Sequence, residues 1–210
     1  MEQGVGTHAG AARHRNGFVL AGGRSSRMGR DKALLPLNGR PLIERVAEEV
    51  RRAAGSATII GSPGRYGLLG LPCIPDLVEG CGPLGGLYTA LTVSRAEWNL
   101  VVACDLPRVS AALFTALFAA AERRYEDSGR VALVPSTPAG LEPLCAVYHR
   151  DLLPAVSAAL ESRRLRMHDF VASIDASLWP APDPAVFGNV NTPADWDALQ
   201  HNLEHGEVRA

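Results

Sequence analysis

The chain has 210 residues, a net charge of −1 and 47% hydrophobic residues. This length predicts one domain with a core large enough to be stable without disulfide bonds or a structural metal ion. The net charge excludes a generally basic nucleic-acid-binding protein. No apolar run approaches the roughly 20 residues that span a bilayer, and the first sixteen residues lack a hydrophobic signal segment. We therefore expect a cytoplasmic protein that binds neither membrane nor nucleic acid, with a disordered leader over 1–16 and a single domain over 17–205.

The first strand and the loop after it form the most informative segment of the chain. Residues 17–20 have the pattern of a buried strand, and the run LAGGRSSRMGRDK occupies residues 20–32 with three glycines and four cations. Glycine lets backbone N–H groups approach a polyanion, and a cation at the far end of the loop balances the remaining phosphate charge. The segment predicts a phosphate-binding loop, although both common nucleotide-binding fingerprints are absent. The alternative is a solvated, Arg-rich turn.

Strand-like and helix-like segments alternate after this loop. The spacing predicts an amphipathic helix from Pro41 to Gly55, followed by strands at 57–60 and 71–75. The later predicted elements are a helix entered near Pro83, a strand at 99–104, a helix capped by Ser110 and ending near Tyr125, strands at 131–135 and 144–148, a helix at 151–161, and a last helix opened by Thr192 and Pro193. Residues 175–185 contain three prolines and are predicted to be irregular. Such alternation is typical of a doubly wound, mostly parallel α/β sheet with right-handed crossovers.

Two carboxylates follow predicted strands of this sheet. Asp105 ends the apolar run NLVVAC, and because ligands of such sheets bind at the carboxyl ends of strands, it would face the phosphate loop and hold Mg²⁺ through one oxygen. Asp76 follows a shorter strand and is placed to accept a hydrogen bond from a nucleoside hydroxyl or amine. Each has an alternative as a local turn residue. Likewise, Gly82–Gly86 either lets a base or ribose lie against the backbone or forms a tight helix entry.

The positions of the cysteines and histidines in the sequence give no indication of covalent catalysis. The four cysteines lack metal-binding spacing and are predicted to be buried, reduced thiols. None of the six histidines forms a recognisable pair of nucleophile and base. His149 and His168 are therefore expected to be structural or exposed.

Four motifs together resemble those of the molybdenum cofactor guanylyltransferase family. They are the 20–32 run, GPLGGL at 82–87, CDLP at 104–107 and FGNVNTP at 187–193. The resemblance covers residues 17–203 in the expected order. The first motif is common to many nucleotidyltransferases, whereas the second and the last are more selective. The resemblance implies a Rossmann-like, three-layer nucleotidyltransferase fold.

The activity that this resemblance implies is transfer of GMP from GTP to the terminal phosphate of molybdenum-molybdopterin, releasing pyrophosphate. A phosphate nucleophile has a second pKa near 6, so it is largely ionised at pH 7 and needs no general base. The alternatives are a related enzyme that uses CTP or a sugar or alditol phosphate, and a non-catalytic carrier of the cofactor. Further partners implied are other molybdenum cofactor biosynthesis proteins and molybdoenzyme apo-proteins.

The resemblance also implies particular site residues. Catalytic roles fall on Arg27, Lys32 and Asp105, with Mg²⁺ on Asp105. The nucleotide-binding residues implied are Leu20, Ala21, Gly22, Gly23, Lys32, Gly61, Asp76, Gly82, Pro83, Leu84 and Asp105. Asn189 and Asn191 would face the pterin. The basic residues Arg163, Arg164 and Arg166 would meet the phosphate of the pterin substrate or form a solvated helix end. Gly61 departs from the family, which often has asparagine there, so base selection would depend on backbone groups or Asp76.

Overall fold

The computed structural model describes residues 14–22 and 31–204, and the side chains up to His201. Within these ranges the strands are β1 (Arg15–Ala21), β2 (Pro36–Leu37), β3 (Arg40–Pro41), β4 (Thr58–Gly61), β5 (Cys73–Ile74), β6 (Trp98–Ala103), β7 (Ala132–Thr137), β8 (Gly140–Leu141), β9 (Cys145–His149) and β10 (Ser177–Pro180). The helices are α1 (Leu42–Ala54), α2 (Pro63–Tyr66), α3 (Gly82–Val93), α4 (Ala111–Ser128), α5 (Leu153–Glu161), α6 (Met167–Ser173) and α7 (Pro193–Glu204). Short 3₁₀ turns lie at Lys32–Leu34, Gly67–Leu69, Arg150–Leu152 and Pro184–Phe187.

The main sheet has the strand order β10-β7-β9-β6-β1-β4-β5, and β8 pairs with the end of β7. Strand β1 pairs in parallel with both β4 and β6, so Phe18 lies between Thr58 and Val101. Strand β9 runs antiparallel to its neighbours β6 and β7. The predicted mostly parallel sheet is therefore confirmed, with β9 inserted antiparallel beside β6 and the short β8 antiparallel to β7.

Alternating side chains of the sheet enter two separate cores. Val19 packs on one face with residues of α1, α4 and α7, such as Val46 and Phe114. Phe18 packs on the other face with residues of α3, α5 and α6, such as Leu87. These two cores account for the three layers, because each face of the sheet is apolar and must be covered by helices.

Residues at the helix ends explain why several predicted boundaries agree with the structure. Helix α1 has Pro41 at its N-cap and ends at Gly55, whose φ of 78° is the left-handed conformation that glycine adopts readily. The Ser110 side chain accepts a hydrogen bond from Leu113 N at the start of α4. Helix α4 continues three residues beyond the predicted end, to Ser128.

Three expectations about the chain's organisation need correction. Strand β1 begins at Arg15, two residues inside the predicted leader, because Arg15 pairs with Glu122 and Asn16 is hydrogen-bonded to Ser94. Residues 1–13 of that leader lie outside the described residues. The segment 175–185 is not wholly irregular, since Ser177–Pro180 forms the parallel edge strand β10, where proline is tolerated. Helix α6 was not predicted.

The state of the cysteines and the character of the helices can be given for the described residues. All four cysteines are described and free: Cys81, Cys104 and Cys145 are buried, and Cys73 is half-buried. Burial raises the pKa of the Cys145 thiol. Among the described helices, none combines the length and the apolar character required to cross a bilayer.

Replacing Gly61 with alanine is expected to destabilise the sheet. A Cβ at this position would lie 2.2 Å from the Ala21 carbonyl oxygen of the neighbouring strand, so the two strands would have to separate. We expect a loss of about 2–3 kcal/mol in the free energy of unfolding, which is roughly 5–10 °C in Tm for a chain of this size. Gly64→Ala is the control, since its Cβ would meet only Ser62 Oγ at 4.0 Å. Equal melting temperatures for the two variants in circular dichroism would contradict this account.

Candidate active site

A cavity of about 980 Å³ opens where the central parallel strands end. Its floor is formed by residues after β1 and β6, because the carboxyl ends of parallel strands meet at one edge of the sheet. The predicted site residues that line it are Leu20, Ala21, Gly22, Lys32, Asp76, Gly82, Pro83, Asp105, Asn189 and Asn191. Residues from four distant parts of the sequence are thus brought to one place.

Lys32 and Asp105 lie at the centre of this cavity. Lys32 Nζ forms an ion pair with Asp105 Oδ2 and donates a hydrogen bond to Asn191 Oδ1 at 3.1 Å. The two charged side chains are only 22% and 13% exposed, so water screens their interaction weakly. Lys32 is also the only lysine of the chain.

The remaining oxygen of Asp105 is suited to a metal ion. Asp105 Oδ1 is buried and has no hydrogen-bond partner among the described residues. No group of three or more histidine, cysteine, aspartate or glutamate side chains in the described ranges could hold a metal by itself. Mg²⁺ is commonly bound by one or two carboxylates, with substrate phosphates and water completing its shell. The unpartnered oxygen therefore fits Mg²⁺ bound together with a phosphate.

Asp31 fixes the backbone from which Lys32 projects. Its side chain caps the following 3₁₀ turn by accepting from Ala33 N at 3.1 Å, and it accepts from Tyr66 Oη at 2.8 Å. Burial, and then this carboxylate, raise the pKa of Tyr66, so the phenol remains a donor. Arg65 adds a longer contact of 3.3 Å. Asp31 thus has a positioning role, which the sequence analysis did not assign.

The segment carrying the two asparagines is held from both sides. Val190 is buried, and its N–H donates to the Asp105 carbonyl oxygen at 3.0 Å. On either side of it, Asn189 and Asn191 are exposed and line the cavity. Asp195, in the first turn of α7, accepts from Asn191 N at 2.9 Å and from Thr192 N at 2.8 Å. The helix start therefore fixes the position of Asn191 beside Lys32.

This helix cap should make stability depend on pH. Its hydrogen bonds hold the pKa of the Asp195 carboxyl below its usual range, so the stabilisation is present at neutral pH and is lost as pH falls through the lowered pKa. Asp195→Ala is therefore expected to lower Tm by roughly 2–4 °C at pH 7. The difference in Tm between the two proteins should stay constant above about pH 4 and shrink progressively below it, as pH falls through the lowered pKa. A difference in Tm that persists unchanged at pH 3 would show that the cap is not the cause.

The two flanks of the cavity each carry a carboxyl group. On the β5 side, Asp76 lies near Gly82, and burial followed by the neighbouring Glu79 charge raises the pKa of Asp76. On the β9 side, burial raises the pKa of Glu142, and the nearby His168 and a hydrogen bond from the Thr137 side chain offset this only in part. Sequence reasoning missed Glu142. It lies in the connection before β9, where no local motif marks it.

Several predicted site residues do not line the cavity. Leu84 is fully buried, because the turn of α3 places it on the face opposite Gly82 and Gly86. Gly61 lies close to the Ala21 carbonyl oxygen of β1 and to Tyr66, and it is not among the lining residues. Gly23 and Arg27 lie outside the described residues.

The basic segment and the histidine near it also differ from expectation. Of the three arginines, Arg166 lines the cavity, whereas Arg163 and Arg164 do not. His168 lines it as well, with Nε2 3.2 Å from the Leu141 carbonyl oxygen, and so has a place at the site that was not predicted. Both Arg166 and His168 lie at the start of α6, the helix missed from sequence.

Cys104 is the one cysteine that lines the cavity. Burial, and then the adjacent Asp105 charge, raise the pKa of its thiol to about 12. The thiolate is the nucleophilic form of cysteine, and it is negligible at neutral pH for such a group. This agrees with the expectation that the chemistry proceeds without covalent catalysis by cysteine.

Comparison with known proteins agrees with this geometry. Residues 17–175 match the model of the MobA-like NTP transferase domain family. The chain is 37% identical over 194 residues to the molybdenum cofactor guanylyltransferase of Xanthomonas euvesicatoria pv. vesicatoria, covering 88% of this chain and 94% of that protein. It is 32% identical over 188 residues to a probable molybdenum cofactor guanylyltransferase of Flavobacterium johnsoniae, covering 89% and 96%.

A solved structure shows the same fold. The crystal structure of molybdopterin-guanine dinucleotide biosynthesis protein A from Archaeoglobus fulgidus superposes with a TM-score of 0.76 at 23% identity, covering 90% of this chain and 99% of that one. A CMP:2-keto-3-deoxy-manno-octonic acid synthetase, solved with CTP, gives a TM-score of 0.70 at 16% identity, covering 91% and 99%. The fold is therefore the nucleotidyltransferase fold.

Proposed function

This chain belongs to the molybdenum cofactor guanylyltransferases, within the MobA-like NTP transferase family. We propose that it transfers GMP from GTP to molybdenum-molybdopterin. The products are molybdopterin guanine dinucleotide cofactor and pyrophosphate. The observation that carries this proposal is the Lys32–Asp105 pair at the centre of the cavity, with one Asp105 oxygen buried and unpartnered.

The reaction begins with an oxygen of the molybdopterin phosphate, which attacks the α-phosphorus of GTP. A new P–O bond forms, and the bond to the β,γ-diphosphate breaks, so that pyrophosphate leaves with the electron pair. The attacking phosphate is already ionised near pH 7, so no side chain has to remove a proton. The barrier is then chiefly electrostatic, because two polyanions must come together.

The residues around the cavity have complementary roles in that encounter. Lys32, Ala21 and Gly22 line the cavity, and we assign the Lys32 ammonium group and the backbone of the other two to the triphosphate. Asp105 Oδ1 would hold Mg²⁺, which supplies further positive charge on the phosphates when bound. We assign Asp76, Gly82 and Pro83 to the nucleoside. Asn191, bonded to Lys32, and Asn189 are assigned to the acceptor.

The proposal extends to the cellular setting. A substrate drawn from the GTP pool supports a cytoplasmic location. The dinucleotide product must pass to apo-proteins that use it, so we include molybdoenzyme apo-proteins and other proteins of molybdenum cofactor biosynthesis among the partners.

The test is synthesis of the product itself. The purified chain is incubated with molybdenum-loaded molybdopterin, Mg²⁺ and one labelled nucleoside triphosphate at a time: GTP, CTP, UTP or ATP. We expect labelled molybdopterin dinucleotide and pyrophosphate with GTP. Product formed chiefly with CTP would assign the chain to a related cytidylyl transfer, and GTP binding without pyrophosphate release would indicate a carrier.

A further inference from the structure

The cavity has two partly buried carboxyl groups that the phosphate chemistry does not use. Asp76 and Glu142 both line the cavity, and burial raises the pKa of each. Among the ion pairs of the described residues, none involves either group, although the nearby His168 and a hydrogen bond from the Thr137 side chain partly stabilise the Glu142 carboxylate. Burial still outweighs these two interactions, so hydrogen-bond donors from a ligand would further stabilise the charged form of each group.

The strand order places these two groups on opposite sides of the reacting centre. Asp76 follows β5, whereas Glu142 lies between β8 and β9, with its N–H bonded to the Pro135 carbonyl oxygen of β7. Strands β4, β1 and β6 lie between β5 and β9. Neighbouring strands are about 4.8 Å apart, so strands β5 and β9 are separated by roughly 19 Å, and Asp105 lies between them at the end of β6. Asp76 and Glu142 therefore lie on different sides of Asp105, one on the side of each substrate.

The two substrates of the proposed reaction share one chemical feature. Guanine and the pterin ring both contain a 2-amino-4-oxopyrimidine, which presents a ring N–H and an amino group side by side. An ionised carboxylate accepts from both donors at once, and such charge-assisted, paired hydrogen bonds are strong and directional. The cavity thus has two acceptor groups for two rings that carry the same donor edge.

The backbone around Glu142 is fixed enough to serve such recognition. Its N–H is bonded to Pro135, and its carbonyl oxygen accepts from Cys145 N at 3.1 Å. His168 at the start of α6 bonds the preceding residue, Leu141, at 3.2 Å. A carboxylate on a connection held at three points is preorganised, so binding a flat ring there costs little ordering.

We propose that Glu142 binds the amino-pyrimidinone edge of the pterin of the acceptor substrate and thereby determines acceptor specificity. This inference rests on the proposed function and names a residue of the acceptor subsite within it. Asp76, on the opposite flank, is left for the guanine of GTP.

The first test separates the two substrates kinetically. Glu142→Gln keeps the shape of the side chain but turns an acceptor oxygen into an amino donor, which faces the donors of the pterin. We expect the KM for molybdenum-molybdopterin to rise about tenfold or more, with the KM for GTP within twofold of the unmodified protein. Glu126→Gln, an exposed change on α4, is the matched control and should alter neither value. A rise confined to the KM for GTP, or no change in either KM, would overturn the assignment.

The second test measures recognition without turnover. Fluorescence titration compares 6-hydroxymethylpterin with 6-hydroxymethyllumazine, which has a 2-oxo group in place of the 2-amino group. The unmodified chain should prefer the pterin, and Glu142→Gln should lose or reverse that preference, because an amide complements the 2-oxo edge. If Glu142→Gln bound both ligands equally more weakly, the change would only have loosened the loop, and this result would contradict the proposal. An unmodified chain that prefers the pterin but makes no dinucleotide would refute the proposed function and leave this subsite standing, whereas absence of any preference would refute the subsite alone.

Discussion

Replacing Lys32 with methionine is expected to lower kcat/KM for GMP transfer about a hundredfold. Methionine keeps much of the length of the side chain but cannot donate to phosphate oxygens. Each charge-assisted hydrogen bond is worth about 1.5–3 kcal/mol, which corresponds to roughly ten- to a hundredfold in rate. Asp105 and Asn191 fix the position of Lys32 Nζ at the ends of the strands, and methionine has no charged group to place there.

Two controls make this result specific. Arg123→Met removes one exposed cation of α4 and should leave kcat/KM within twofold of the unmodified chain. Because Lys32 is the only lysine, reductive methylation modifies it alone apart from the chain's amino terminus, and saturating GTP with Mg²⁺ should slow that labelling. Normal turnover by Lys32→Met, or labelling unaffected by nucleotide, would remove Lys32 from the mechanism.

Replacing Asp105 with asparagine is expected to reduce turnover further, by about a thousandfold. The amide removes the negative charge that holds Lys32 and that would hold Mg²⁺, so the triphosphate loses two sources of neutralisation together. Tm should also fall by several degrees, because the change removes the charged partner of a lysine whose ion pair water screens only weakly. Turnover is followed by pyrophosphate release over a range of Mg²⁺ concentrations.

The comparison for this variant is Asp127→Asn, an exposed change near the end of α4 that should leave turnover and Tm unaltered. A second check is the concentration of Mg²⁺ required for half-maximal rate, which should increase in Asp105→Asn and stay constant in the control. If Asp105→Asn kept a tenth or more of the activity with an unchanged Mg²⁺ requirement, the carboxylate would not be the metal ligand.

Local signals in the sequence predict most of the fold. Proline and glycine at the two ends of α1 have direct physical effects, so its predicted bounds differ from the observed ones by a residue. The apolar run of β6 identifies a strand buried on both faces. Strand β10 was missed because Pro180 within it and two prolines shortly after it weaken the strand pattern, whereas an edge strand tolerates proline. Helix α6 has seven residues, too few to establish a period.

The candidate site is only half predictable for a different reason. Lys32 and Asp105 are marked by motifs beside strand ends, and the structure brings them into contact. Glu142 and His168 have no such local mark, because only the antiparallel insertion of β9 and the packing of α6 bring them to the same cavity. Leu84 is the opposite case, because it belongs to a motif but is buried in the core and does not line the cavity. A motif does not specify which face of the helix each of its residues occupies.

The pairing of Lys32 with Asp105 has a consequence for the order in which ligands load. In the empty cavity these two charges satisfy each other, so a triphosphate that recruits the ammonium group leaves a bare carboxylate facing its own negative oxygens. A divalent cation relieves that repulsion, and the triphosphate in turn relieves the repulsion between cation and ammonium. Thermodynamic reciprocity then makes the two ligands cooperative, so that each should bind more weakly by itself than in the other's presence.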